Sequence, residues 1–141
     1  MQSPRLLQLS RAESLQLLTE TAVGRVAFSH RALPAIRPVN YVVHDGFVVV
    51  CTHRDSDLPG PSAFSGVVAF ESDAMDPHTR TGWSVVVTGT ATPVADEDLR
   101  ARYRDLLDPW LGVDVDQLVT ITTDMVSGIR LVNERREAKP R

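Results

Sequence analysis

The stretch Tyr41–Thr52, YVVHDGFVVVCT, leaves this chain little freedom. Asp45-Gly46 between two apolar runs is the strongest short-range signal for a β-hairpin, because a two-residue loop that twists with its strands needs positive φ at both central positions. The unbroken run Phe47–Cys51 is long enough for a strand and predicts one buried on both faces. A chain committed to such a hairpin near its middle must cover both faces of the second strand, which calls for a closed or layered β architecture.

The hairpin lies within RPVNYVVHDGFVVVCTHRDSD, Arg37–Asp57. Its last part places His53, Arg54, Asp55 and Asp57 directly after a strand, where an anion can sit. On either side the pattern is mostly β. Ser10-Arg-Ala-Glu13 has the form of a capping box and opens a helix of about three turns carrying Leu15, Leu17 and Leu18, ending near Thr21–Gly24. Gly24–Ser29 alternates with Val26 and Phe28 on one face. Ala35–Val43 is the first hairpin strand, with Pro38 at an edge or bulge. The segment from Asp55 to Gly66 holds Pro59, Gly60 and Pro61, which exclude a long helix.

Further strands are expected over Val67–Glu71 and over Trp83–Val94 with a break at Gly89, separated by a polar loop from Ser72 to Gly82. Asp96 caps an amphipathic helix carrying Leu99, Tyr103, Leu106 and Leu107, ended by Asp108-Pro109. Leu118–Thr122 and Met125–Val132 form a last strand pair, and 133–141 is a charged, frayed tail. The order predicts a single domain over 1–141, a small antiparallel barrel with helices covering its ends.

Composition excludes several classes. With 141 residues, 43% hydrophobic and 23% charged, the chain suits one soluble domain. A net charge of −3 gives no electrostatic footprint for nucleic acid. The lone Cys51 rules out an internal disulfide or a cysteine zinc site and fits a reducing cytoplasm. No apolar run reaches membrane-spanning length, and Met1–Ser14 does not read as a signal peptide. His30, His44 and His78 fall in predicted turns without metal-ligand spacing, so no metal site is expected. Asp73, Asp76 and Asp96 are scattered, and no serine has a nucleophile-elbow context.

In their order and spacing, LLTETAVGRVAF, LPAIRPVNYVVHDG, the strand ending at Thr52, VAFESDAMDPHTRTGWSVVVTGTA and SGIRL resemble the pyridoxamine 5′-phosphate oxidase-like flavin proteins from about Leu9 to Leu131. The resemblance implies a mainly β (α+β) chain, an antiparallel split β-barrel with flanking helices. It also implies a homodimer with two flavin sites at the subunit interface, no nucleic-acid or membrane partner, and FMN as the usual cofactor. In some actinobacterial relatives the deazaflavin F420 replaces FMN.

Carried over position by position, the resemblance places Pro38, Val39 and Asn40 along the isoalloxazine ring, with Arg37 next to them as a further cofactor-binding residue. Cys51, Thr52, His53, Arg54 and Ser56 then lie at the phosphate, and Trp83 and Ser84 near the site in the dimer. It gives an oxidoreductase-like activity on a small organic substrate, with hydride or electron chemistry carried by the flavin and catalytic residues unassigned.

One departure matters. The family loop ends in Ser or Thr followed by Lys and Leu, whereas THRDSDL has Asp57 where Lys belongs. A carboxylate repels a phosphate dianion. Of fifteen basic residues fourteen are Arg, and the single Lys139 is in the tail. The alternative is therefore a degenerate relative with no cofactor, acting as a binding or regulatory dimer. Arg54 can also pair with Asp55 or Asp57 inside its own loop. The Cys51 side chain reads as an inert core residue rather than a catalytic thiol, and a Trp opening an apolar strand, as Trp83 does, is more often core or interface. Pyridoxamine 5′-phosphate oxidase itself fits least, because the chain is short and shows no C-terminal substrate segment with Arg and His.

Overall fold

The computed structural model describes residues 2–53, 66–107 and 115–135. The chain begins with β1 (Gln2–Leu9) and α1 (Arg11–Leu18), followed by β2 (Val23–His30), β3 (Leu33–His44) and β4 (Phe47–His53). After the loop come β5 (Gly66–Asp76), β6 (Thr81–Pro93), α2 (Glu97–Leu107), β7 (Val115–Thr122) and β8 (Met125–Arg135). Every pairing is antiparallel. Strands β2, β3, β4, β7, β6 and β5 close a six-stranded barrel, while β8 and then β1 extend the sheet from β6.

The hairpin forms as its sequence dictates. Asp45 and Gly46 take φ of 50° and 78°, and His44 pairs with Phe47 across the turn. Val48, Val49, Val50 and Cys51 are all buried because β4 separates two cores. Val48 and Val50 face the barrel interior with Tyr41, Phe70, Val85 and Ile121. Val49 and Cys51 face the other way, under Tyr103 and Leu107 of α2 and against Leu118.

Both helix caps form. Ser10 Oγ accepts from Glu13 N, and Glu13 accepts from Ser10 N. Asp96 Oδ1 accepts from the amides of Asp98 and Leu99. α1 stops at Leu18, earlier than expected, where Thr19 bonds back to the Gln16 carbonyl through both its amide and its hydroxyl. On α2 only Tyr103 and Leu107 are buried; Leu99 and Leu106 stay exposed.

Three other expectations need correction, and one strand had no counterpart in the expected elements. Gln2–Leu9 is a strand, because β8 supplies a continuous ladder partner from Gly128 to Arg135. The same ladder holds Asn133, Glu134 and Arg135 in β8, so these three are strand and not frayed tail; 136–141 lie outside the described residues. The segment from Ser72 to Gly82 is largely strand: β5 and β6 pair from Gly66↔Ala91 to Asp76↔Thr81, with a turn held by Asp76 Oδ1 accepting from the His78 amide. Gly89 is no break. There β6 leaves β8, its partner through Thr88↔Met125, and meets β7, its partner from Ala91↔Ile121.

Candidate functional site

Strands β3 and β4 run as a ladder only from His44↔Phe47 to Asn40↔Cys51. Beyond that rung β3 continues with β2 alone, and β4 continues with β7 alone through Thr52↔Gln117 and, across a bulge, His53↔Val115. Among the described residues the β3–β4 ladder therefore ends at this rung, and the junction where the two strands cease to pair is a notch between two ladders. Pro38 sits on this single-laddered part of β3, opposite Arg25, where its missing amide costs no ladder bond on the open side.

The notch brings together two groups of the expected site residues. Arg37 is half-buried, and its Nε is buried with no hydrogen-bond partner among the described residues. A buried guanidinium donor without an acceptor is costly, so its presence points to an acceptor supplied from outside. Val39 is buried in the core, and Pro38 is exposed on the outer face. Asn40 is half-buried, with Nδ2 at 3.5 Å from the Ala22 carbonyl.

Across the last rung, Cys51 points away from the notch into the core under α2, and burial pushes its thiol pKa up, so it is no thiolate nucleophile. A ligand could meet Cys51 only through its main chain. Thr52 is half-buried and opposite in facing to Cys51. His53 is the last described residue of β4; Arg54, Ser56 and Asp57 lie outside the described residues.

Trp83 and Ser84 are not in this notch within one protomer. They sit on β6, and the strands β5 and β2 separate them from β3. Trp83 is buried in the main core, and Ser84 lies between Asp73 and Ile129.

A buried hydroxyl network supports the edge of the notch. Tyr41 Oη donates to the Leu18 carbonyl at 2.6 Å and contacts Thr21 Oγ1 at 2.5 Å; Thr21 Oγ1 lies 2.9 Å from Ser72 Oγ, which donates to the Val23 carbonyl. With the Tyr41 amide bound to the Ala22 carbonyl, the segment joining α1 to β2 is fixed beside Asn40. Burial raises the Tyr41 pKa, with Ser72 and Thr21 acting against it, so the phenol stays a neutral donor.

The outer face of β2, β5 and β6 carries a charged group that sequence reading missed. Arg25 Nη1 lies 2.7 Å from Glu71 Oε1 and 3.5 Å from Asp73 Oδ2. Burial, then the Asp73 carboxyl, push Glu71 up to about 6, against the pull of Arg25. The available signal was the i, i+2 spacing of Glu71 and Asp73, which puts both on one face of a strand. Reading a loop from Ser72 onward concealed it. Around this group the face is apolar: Ile36 is 70% and Val67 75% exposed. A shallow groove of about 400 Å³ runs between them, floored by Ala27 and Ala69.

His44 is less exposed than a turn histidine was expected to be. Its ring packs edge-on at 6.1 Å from that of Tyr103, and its Nε2 lies 3.2 Å from Asp45 Oδ2 without the alignment of a hydrogen bond. No group of three or more His, Cys, Asp and Glu among the described residues is placed to hold a metal ion. No helix among the described residues is long and apolar enough to cross a membrane.

The family model for pyridoxamine 5′-phosphate oxidase matches residues 10–132. The chain belongs to this family. The chain is 47% identical over 134 residues to the uncharacterized protein Rv0080 of Mycobacterium tuberculosis, covering 92% of this chain and 88% of that protein. The FAD binding protein from Mycobacterium smegmatis shares the fold with a TM-score of 0.67 at 28% identity, over 89% of this chain and 98% of the other. A conserved protein of unknown function, DIP1874 from Corynebacterium diphtheriae, has a TM-score of 0.71 at 31% identity, over 90% of this chain and 98% of the other.

Proposed function

We propose that the chain is a flavin-nucleotide-binding, oxidoreductase-like protein that works as a homodimer, with the notch between β3 and β4 as its cofactor site. The observation that carries this is the buried, unpartnered Nε of Arg37, on the stretch of β3 that lies past the last rung with β4. A phosphate oxygen is the acceptor that this donor lacks, and a guanidinium binds phosphate well. Thr52, His53, Arg54 and Ser56 would complete the phosphate side. The edge of β3 at Pro38 and Val39, past the Asn40↔Cys51 rung, offers main-chain groups to the ring, with Ser84 contributed by the second copy.

The family membership and the FAD-binding relative at 28% identity both support a flavin. FMN, FAD and F420 share a tricyclic ring and a phosphate, and they differ in what extends beyond it. When bound, the flavin supplies hydride or electron transfer to a small organic substrate. The protein's part is to bind the phosphate through Arg37, to align the ring edge with β3, and to exclude water. The apolar outer face around Ile36 and Val67 is the surface that a second copy would cover.

Asp57 favours a second reading, a relative with a weakened phosphate loop that has kept the dimer for binding or regulation. Thermal unfolding with excess FMN, FAD and F420 separates the two. A ligand at a hundred times its Kd should stabilise the chain by about 2.7 kcal/mol. Asp57→Lys should tighten flavin binding and Arg54→Ala should weaken it. If only the Asp57→Lys variant responds to flavin, the second reading holds.

A further inference from the structure

Gln117 stands on β7 directly opposite Thr52, one rung past the Asn40↔Cys51 end of the β3–β4 ladder. Its facing follows from its strand neighbours. Val119 and Ile121 lie in the barrel core, whereas Leu118 lies in the second core under α2. Alternation therefore turns Gln117 to the inner face, and Val48 and Val50 set the same facing for Thr52. On β3 the inward Val39 and Tyr41 do so for Arg37. Arg37, Thr52 and Gln117 thus share the inner face of the wall, on the stretches of β3, β4 and β7 that lie past the last β3–β4 rung.

Arg37 and Gln117 each carry a buried atom with no hydrogen-bond partner among the described residues, and the two atoms are opposite in sense. Arg37 Nε can only donate, and Gln117 Oε1 can only accept. A bond between them would satisfy both, and they do not make it. Each unmet group is costly by itself, so each is turned to something else. A single ligand that answers both presents an acceptor towards β3 and a donor towards β7.

The parts of a flavin nucleotide sort by this requirement. A phosphate dianion only accepts; it suits Arg37, and the Gln117 carbonyl would repel it. The ring lies along β3 at Pro38 and Val39 in the reading above, and β4 stands between β3 and β7. The remaining part is the hydroxylated chain that joins ring to phosphate in FMN, FAD and F420 alike. Its hydroxyls are donors, and Thr52, on the phosphate side, is the neighbour of Gln117.

We propose that Gln117 is a specificity-determining residue of the cofactor site: its side-chain carbonyl accepts from a hydroxyl of the polyol chain, and so selects ligands that carry a hydroxylated chain next to a phosphate. The inference rests on the flavin reading put forward above. Because the free chain holds the acceptor buried and unmet, a ligand whose chain lacks hydroxyls leaves it unmet in the complex as well.

Fluorescence titration of the full chain tests this with two probes, FMN and a phosphopentyl analogue that keeps the ring and the phosphate but joins them by a plain alkyl chain. The parent should bind FMN about tenfold more tightly than the analogue. Gln117→Met, which keeps the length and removes the acceptor, should weaken FMN about tenfold and should not weaken the analogue. Gln117→Leu should act in the same way, which guards against one variant folding poorly. In urea the ligand-free variants should be no less stable than the parent, since Oε1 has no bond to lose. A parent that binds the analogue as tightly as FMN overturns the role of Gln117 and leaves the flavin site standing. So does an unchanged FMN affinity in both variants, an equal loss for both ligands, or a ligand-free chain that both substitutions destabilise. A parent that binds neither probe overturns this role and the flavin reading together.

Discussion

Replacing Gly89 by alanine should destabilise the chain by about 3 kcal/mol or more, a large share of the total for a domain of this size. A Cβ at this position would lie 1.7 Å from the Thr122 carbonyl oxygen and 2.8 Å from Thr122 Oγ1. The obstacle is backbone, which cannot rotate away as a side chain would. It stands where β6 changes partner from β8 to β7, and there the Thr90 amide donates to Thr122 Oγ1 at 2.8 Å. Relief would require pulling β7 away from β6, and that is the pairing that closes the barrel. Gly46→Ala is the matched control. Nothing lies within 4 Å of a Cβ there, so only the positive φ of 78° is lost, at a cost of about 1 kcal/mol. Urea unfolding of the two variants should separate them clearly; a Gly89→Ala variant within 1 kcal/mol of the parent would show that the barrel closes by another route.

Arg37→Ala should weaken flavin binding by about thirtyfold or more while leaving the flavin-free chain as stable as before. Removing one member of a buried, charge-assisted pair costs about 2–5 kcal/mol in a complex. In the free chain, Nε of Arg37 has no hydrogen bond to lose among the described residues. Truncation there gives up only the packing of the aliphatic stem and relieves a buried unsatisfied donor. This pairing of effects distinguishes a ligand-binding arginine from a structural one, whose loss would lower stability without ligand. Arg37→Lys should recover part of the affinity, since Lys keeps the charge and loses the planar fork. Fluorescence titration for affinity and urea unfolding for stability give both readings.

Where the sequence carried the answer locally, it could be read. The Asp45-Gly46 turn sets the register that puts Asn40 opposite Cys51, while the assignment of both segments to a cofactor came from the family resemblance. The continuous run in β4 announced two cores, and the box at Ser10 and Glu13 announced α1. What escaped depended on distant partners. Gln2–Leu9 has Pro4 and no clean alternation, and it is a strand only because β8 meets it 119 to 133 residues later. Ser72–Asp76 is polar enough to read as loop, but β6 pairs with all of it. The Arg25–Glu71–Asp73 group needed that strand and the β2–β5 pairing together. Trp83, weighed between site and core, lies in the core of its own protomer.

The central claim is that the notch holds a flavin nucleotide. The absorption spectrum and mass of whatever co-purifies with the chain test it most directly. The expected result is a yellow protein with flavin bands, carrying FMN, FAD or F420 at close to equimolar amounts and losing it on Arg37→Ala. A colourless protein whose melting temperature does not move with excess FMN, FAD or F420 would contradict the claim.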